Sequence, residues 1–411
     1  MVLLYIPPVQ NLLRREVTAY ASKATGMQIQ VERIDLRFPL NLLVRGVEVI
    51  QQPDTLLSLE SLNVRVQAWP LLKGKVEVDD VTLSQVAVNS ADLIEGMQIK
   101  GVLGRFFLQS HGVDLSNETA VVNRAELSDT HIQLLMNDTT TAPKDTTASA
   151  PVNWKVDLHQ LKLKNISFDM QLPADSLKMA AYIGEATVDD AKADLKNQFY
   201  GLRQFLLSGA SASYDTGEAG PTEGFDASHM AVRNIRIGLD SLLYEGRNMN
   251  AVIREITMEE RSGLSITSLT GRLFSNDSII RIPDLKLQTP HSEINLSAQT
   301  YWELVNIPTT GRLSANFSAY IGKEDVMLFA GGLPQTFKEA YPFVSGACRY
   351  GWKSERNADF TFHCRSAGCF LAERRRYFGE PDRQFEAFGY YWSGYGHSKS
   401  ELSDGTDRSD T

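Results

Sequence analysis

The stretch Lys75 to Ser90, KVEVDDVTLSQVAVNS, sets its apolar residues in pairs: Val76 and Val78, Val81 and Leu83, Val86 and Val88. Within a pair the spacing is two, the period of a strand, because successive strand side chains point to opposite faces. Between pairs the spacing is three. On a straight strand that step would turn the next pair to the opposite face. A bulge or sharp bend at each slip keeps every apolar side chain on one side. The same slip parts Ile29 and Val31 from Ile34 and Leu36, Leu57 and Leu59 from Leu62 and Val64, and Ile280 and Ile282 from Leu285 and Leu287. The expected fold is therefore mainly β, a sheet that curves while keeping one apolar face.

The pattern repeats. Val76, Val78, Val81, Leu83, Val86 and Val88 return 80 residues later as Val156, Leu158, Leu161, Leu163, Ile166 and Phe168. Gly104, Asp114, Leu115 and Leu127 return at the same offset as Gly184, Asp194, Leu195 and Leu207. A looser third copy is expected from about Val232 to Thr270. A constant offset marks a repeated supersecondary unit, and such units stack into one elongated body. This divides the chain into a first β-repeat region over 26–138, a Thr-, Ala- and Pro-rich linker or long loop over 139–151, and further β-repeats over 152–344.

Ahead of the strands, Val9, Leu12, Leu13, Val17, Tyr20, Ala21 and Ala24 fall at helical spacing. That predicts an amphipathic helix over 8–25, with Gly26 as its C-terminal cap. Residues 1–7, with the apolar run Val2 to Ile6, are read as the remnant of a membrane anchor. They are too short to span, since a crossing helix needs about 20 apolar residues. A short apolar terminus packed on the domain is the alternative reading.

No catalytic constellation is legible. Asp79-Asp80 and Asp189-Asp190 are adjacent acids, and neighbours on a strand face opposite ways, so they read as turn residues at the phase slips. The histidines are scattered without metal-ligand spacing, and no phosphate-binding or nucleophile motif occurs. The chain is read as no enzyme, with no cofactor and no metal. A net charge of -9 excludes a broad basic footprint for nucleic acid. Cysteine is absent until Cys348, Cys364 and Cys369, so the main body has no disulfide framework.

From 345 the character changes. Three cysteines, clustered aromatic residues and the run Arg374-Arg375-Arg376 appear together. Residues 345–411 read as an atypical tail, out of frame or disordered, since an unselected stretch lacks a consistent pattern.

The helix, then TGMQIQVERIDLRFPLNLLVRGVEVI, then LLSLESLNVRVQAWPLLKGKVEVDDVTLSQVAV, is similar to the N-terminal part of the TamB (translocation and assembly module subunit) family, in its Bacteroides-type versions, and more broadly resembles AsmA-like proteins. The resemblance spans roughly Leu3 to Val344 and rests on pattern rather than on any catalytic motif. It implies a taco-like curled sheet with an apolar groove, an N-terminal helix in the inner membrane, a periplasmic body and an outer-membrane BamA-type barrel partner. The implied task is outer-membrane biogenesis through passive phospholipid transport. The chain is shorter than full members of that family and reads as an N-terminal fragment, so the barrel partner would act through regions missing here. The groove would be lined by Val76, Val78, Val81, Leu83, Val86 and Val88 and their copies Val156, Leu158, Leu161, Leu163, Ile166 and Phe168, holding phospholipid acyl chains.

The residues alone leave a rival open. A closed core demands the same alternation, so a secreted β-sandwich or β-solenoid for binding or adhesion satisfies it too. The two differ in whether the apolar face is covered.

Overall fold

A computed structural model describes residues 7–38, 40–67, 78–91, 93, 96–114, 117–137, 153–217, 219–302, 313–329, 347–355 and 357–364. Val76, residues 1–6, the linker over 139–151 and the tail beyond 364 lie outside the described residues.

Helix α1 spans Pro7–Thr25, one residue longer than its apolar spacing predicts. Gly26 ends it in the left-handed region, at φ +72, where the absence of a Cβ removes the steric cost. Its N–H donates to the Ser22 carbonyl at 3.0 Å.

Strands then follow almost without interruption. β1 (Gln28–Arg37), β2 (Asn41–Gln51) and β3 (Asp54–Val66) form a meander. β4 (Val78–Asn89), β5 (Met97–Asp114) and β6 (Thr119–Met136) extend it. β7 (Lys155–Leu172), β8 (Leu177–Asp194), β9 (Phe199–Leu202) and β10 (Gln204–Asp215) come next. The remainder are β11 (His229–Glu245), β12 (Asn248–Glu260), β13 (Ser265–Ser275), β14 (Ile279–Gln288), β15 (Glu293–Tyr301) and β16 (Leu313–Tyr320). A short helix α2 (Lys323–Phe329) precedes β17 (Ala347–Glu355) and β18 (Asn357–Cys364). The last two strands lie in the segment expected to lose its pattern, and they continue the sheet, with Tyr350 opposite Phe362 and Trp352 opposite Phe360.

All eighteen strands of the described residues belong to one sheet. Each pairs with the next in chain order, except that β9 and β10 share one position, both lying between β8 and β11. Seventeen positions about 4.8 Å apart make a sheet about 75 Å long. Among the described residues every pairing is antiparallel but one: β7 runs parallel to β6. That seam explains the repeat. β5 and β8 begin and end 80 residues apart, as do the starts of β6 and β9. A three-stranded unit repeated in the same orientation puts its first strand parallel to the last strand of the preceding copy. The looser copy after Val232 departs from this, because β11 joins β10 antiparallel.

The free edge of β1 is covered by α1. The Gln10 side-chain amide donates to the Leu36 carbonyl, and Arg14 donates to the carbonyls of Val31 and Glu32, all at 3.0 Å. An exposed strand edge invites pairing with another chain, and a docked helix blocks it.

Candidate groove

The phase slips stack. Reading across neighbouring strands, the register skips Glu32, Gly46, Glu60, Gln85, Gly104, Asp129, Asn165 and Gly184 in turn, while the residues on either side stay paired. Gly209 and Asn234 extend the line into β10 and β11. Gly46, Gln85, Asp129, Asn165, Gly209 and Asn234 have φ between +50 and +62. One left-handed residue turns the chain enough that residues three apart continue along one face. On β7, Asp157, His159, Lys164 and Asn165 are exposed, whereas Leu158, Leu161, Leu163 and Ile166 are half-buried. The slips therefore form a crease line running along the sheet, at right angles to its strands.

Packing at the crease is tight. A Cβ on Gly104 would lie 2.7 Å from the Asp129 Cβ, and one on Gly184 would lie 2.9 Å from the Gly209 carbonyl oxygen. The polar side chains there face out: Asn165 Nδ2 donates to Asp129 Oδ1 at 2.9 Å, and the Tyr182 hydroxyl donates to Asn165 Oδ1 at 3.1 Å.

A second crease runs two apolar positions away. Asp79, Asn123, His159 and Asp190 stand outside the strand register there. The acid pairs expected in turns thus lie inside β4 and β8, at bends. Asp80 pairs with Arg65 at 3.2 Å. Asp190 accepts from Arg203 at 2.7 Å and lies 3.2 Å from His159 Nδ1. The Arg203 hydrogen bond, then that of His159, holds the Asp190 carboxyl below the usual carboxylate range.

Between the creases each strand contributes two inward residues, and these form two rows. The first runs Ile34, Val44, Leu62, Leu83, Phe106, Leu127, Leu163, Ala186, Leu207, Ile237, Ile256, Leu269, Leu287, Ile294 and Ala319, each directly opposite the next. The second includes Leu36, Leu42, Val64, Val81, Leu108, Ala125, Leu161, Val188, Phe205, Leu239 and Ile253, matched in the same way. No polar residue interrupts either one. Val81, Leu83, Leu161 and Leu163 thus lie on the floor. Val86 and Val88, with their copies Ile166 and Phe168, rise beyond the first crease; Val78, Val156 and Leu158 lie beyond the second.

Nothing among the described residues closes this face. Among the described residues no large side chain is fully buried, and every described groove candidate is half-buried except Val88, which is 40% exposed. Strands make their extensive contacts only with sheet neighbours, with α1 against β1. In a sandwich the same residues would interdigitate with a second sheet and lose nearly all exposure.

The two lips of the groove differ. At one, the loop over 219–228 and α2 meet: the Phe225 N–H donates to the Leu328 carbonyl at 2.7 Å, and the Phe225 and Phe329 rings lie 5.2 Å apart. Three carboxylates there are already hydrogen-bonded. Asp226 accepts from the Thr222 and Ser228 N–H groups, Glu260 from those of Ala231 and Ser262, and Asp325 from the hydroxyls of Thr289 and Ser292. The Thr222 N–H, with those other donors, holds the Asp226 carboxyl far below the usual range. A polar cleft of about 690 Å³ lies beside Thr289, His291 and Ser292.

The other lip is aromatic. Tyr200 and Tyr244 are opposite one another on β9 and β11, their rings stacked at 6.1 Å. Trp302 follows β15, donating from Nε1 to the Asn276 carbonyl at 2.6 Å, with the Arg247 guanidinium 5.6 Å over its ring. Trp302 looks isolated in the sequence. Its partners Asn276 and Arg247 lie 26 and 55 residues upstream, and no local signal links them.

No group of three or more His, Cys, Asp or Glu side chains converges as a metal site among the described residues, and no helix there is long and apolar enough to cross a membrane. A scan against protein-family models finds no match, and neither does a search of curated proteins.

Proposed function

We propose that the protein carries phospholipid acyl chains along its open apolar face, as a passive conduit in outer-membrane biogenesis. One observation carries the reading: two unbroken rows of apolar residues floor a face that, among the described residues, no second layer covers. A soluble protein rarely leaves so large an apolar face in water without an occupant. Neither floor row carries a polar group to select a ligand, which suits hydrocarbon. Burial is worth about 0.8 kcal/mol per methylene, so a sixteen-carbon chain half covered by the floor gains about 6 kcal/mol. That holds a chain and still lets it slide. Support for the compartment, a periplasmic body tethered at the inner membrane and working with an outer-membrane BamA-type barrel, comes from the TamB and AsmA-like resemblance alone.

Lipid extraction and mass spectrometry of the purified protein test the reading. Phospholipid is expected to co-purify, and the double variant Leu83→Asp, Leu163→Asp is expected to retain less than a fifth of it while keeping its β circular dichroism. Unchanged lipid in a folded double variant would remove the groove assignment.

A further inference from the structure

Glycerophospholipids have two ends, and the groove has two unlike lips. At the walled lip, Asp226, Glu260 and Asp325 place negative charge, and the loop over 219–228 and α2 occupy the rim. Arg261, donating to the His229 carbonyl, and Lys323 offset part of that charge, and the carboxylates outnumber them. The aromatic lip offers the opposite. Tyr200 and Tyr244 are 41% and 39% exposed, on the same inward row as Val156 and Ala193. Their rings border the apolar wall while their hydroxyls reach water, the amphipathic arrangement that suits Tyr and Trp to membrane interfaces.

Arg247 stands at the tip of the β11–β12 hairpin. It stacks on Trp302, and its Nη1 donates to the Asp277 carbonyl at 3.4 Å. Among the described residues it pairs with no carboxylate, whereas Arg203, Arg254 and Arg272 each lie against one. A guanidinium has five N–H donors, so Arg247 keeps several for an anion, and its planar fork matches a phosphate diester.

We propose that the lip formed by Tyr200, Tyr244, Arg247 and Trp302 holds the glycerol and phosphate of a glycerophospholipid whose acyl chains lie on the groove floor. This rests on the acyl-chain reading of the groove and adds an orientation to it: head groups emerge along one lip only. Arg247 supplies the phosphate contact, and the rings cover the ester region.

Photolabelling tests both levels separately. The protein is incubated with phosphatidylglycerol vesicles carrying a trace of phospholipid with a diazirine either in the head group or at the acyl-chain end, then irradiated and mapped by peptide mass spectrometry. The tail probe is expected on the floor strands β7 and β11. The head-group probe is expected on peptides containing Tyr200, Tyr244 or Trp302, at least fivefold over the peptide spanning 226–232. Arg247→Glu and Arg247→Gln should each lower head-group labelling of the aromatic lip at least threefold and leave tail labelling unchanged, which also shows that the variants fold. Equal head-group labelling of the two lips, or no response to either Arg247 variant, overturns the orientation while leaving the groove standing. Absence of floor labelling by the tail probe overturns the groove reading and the orientation with it.

Discussion

The two copies of the three-stranded unit, β4–β6 and β7–β10, agree in backbone and differ in bulk. Gln85 and Asn165 both take the left-handed conformation, as do Asp129 and Gly209, and Glu118 and Gln198. Asn117 and Asn197 donate from their backbone N–H to Asp114 and Asp194 at the same distance, 3.1 Å. The inward side chains are redistributed. Leu83 faces Phe106 in the first copy, and Leu163 faces Ala186 in the second; Val88 faces Gly101, and Phe168 faces Ala181. Large and small have changed strands. A closed core would tie each volume to a partner across the interface. An open face ties only the total depth and the apolar character, which fits a fluid occupant better than a second sheet.

The crease glycines should break this agreement most forcefully. Gly104→Val and Gly184→Val place a Cβ within 3 Å of backbone oxygen in both copies. Each is expected to destabilise its own strands by about 3 kcal/mol. Stacked units unfold locally, so hydrogen exchange of the strands flanking each site is the measurement. Protection unchanged at both sites would show that the crease tolerates a side chain.

Exchanging bulk sharpens the comparison. Phe106→Ala should cost about 1–2 kcal/mol, less than a fully buried phenylalanine would. Ala186→Phe should cost under about 1 kcal/mol: larger neighbours shield the alanine itself, 3% exposed, but no second layer among the described residues bars the added ring, whereas overpacking a closed core costs about 1–3 kcal/mol. Denaturant midpoints measure both, and a loss above that range for Ala186→Phe would mean that the face is covered.

Acid should separate the copies. At the second crease the later copy carries His159, Asp190 and Arg203, where the earlier one has Asp79, Ser110 and Asn123. The Asp190 carboxyl titrates below its unfolded value, chiefly through Arg203. Its contribution is therefore present above about pH 4 and lost as pH falls through the folded pKa. Protection factors in β8 and β10, corrected for the intrinsic exchange rate, should fall on acidification before those in β5 and β6. Arg203→Gln should shrink the difference, leaving the part that His159 contributes.

The smallest effect belongs to the turns. Asn117→Ala and Asn197→Ala each remove a side-chain hydrogen bond to an aspartate on an exposed turn, at 2.7 and 2.9 Å. Both should cost about 0.5 kcal/mol, equal within error, by thermal denaturation. A much larger loss at one site would show that the copies are not equivalent at their tips.

Much of this was legible in the residues. Alternation marks the strands, the spacing of three marks the bends, and the offset of 80 marks the unit. Gly26 marks the helix end. Three features were not. Strand direction leaves no trace in an alternating pattern, so the parallel partnership of β6 and β7 is invisible. The stacking of bends into lines depends on register between strands, which no single strand encodes. Gln85 gives no warning of a left-handed backbone, a role that Asn165 in the second copy announces by its residue type. The aromatic lip was missed for a related reason: Tyr200 meets Tyr244, and Trp302 comes under Arg247, only because successive hairpins return the chain to one rim.

Three is an odd number, and the parallel seam is its signature. A unit of three strands enters at one rim and leaves at the other, so its tandem copy keeps the same rims only if it starts where the last strand of the preceding copy started, as Lys155 does opposite Thr119. Each copy added in this way lengthens the array by about 14 Å, leaves both creases in line and preserves the difference between the rims. Gene duplication can therefore tune the reach of such a body in fixed increments, with no side chain on the floor needing to be reinvented.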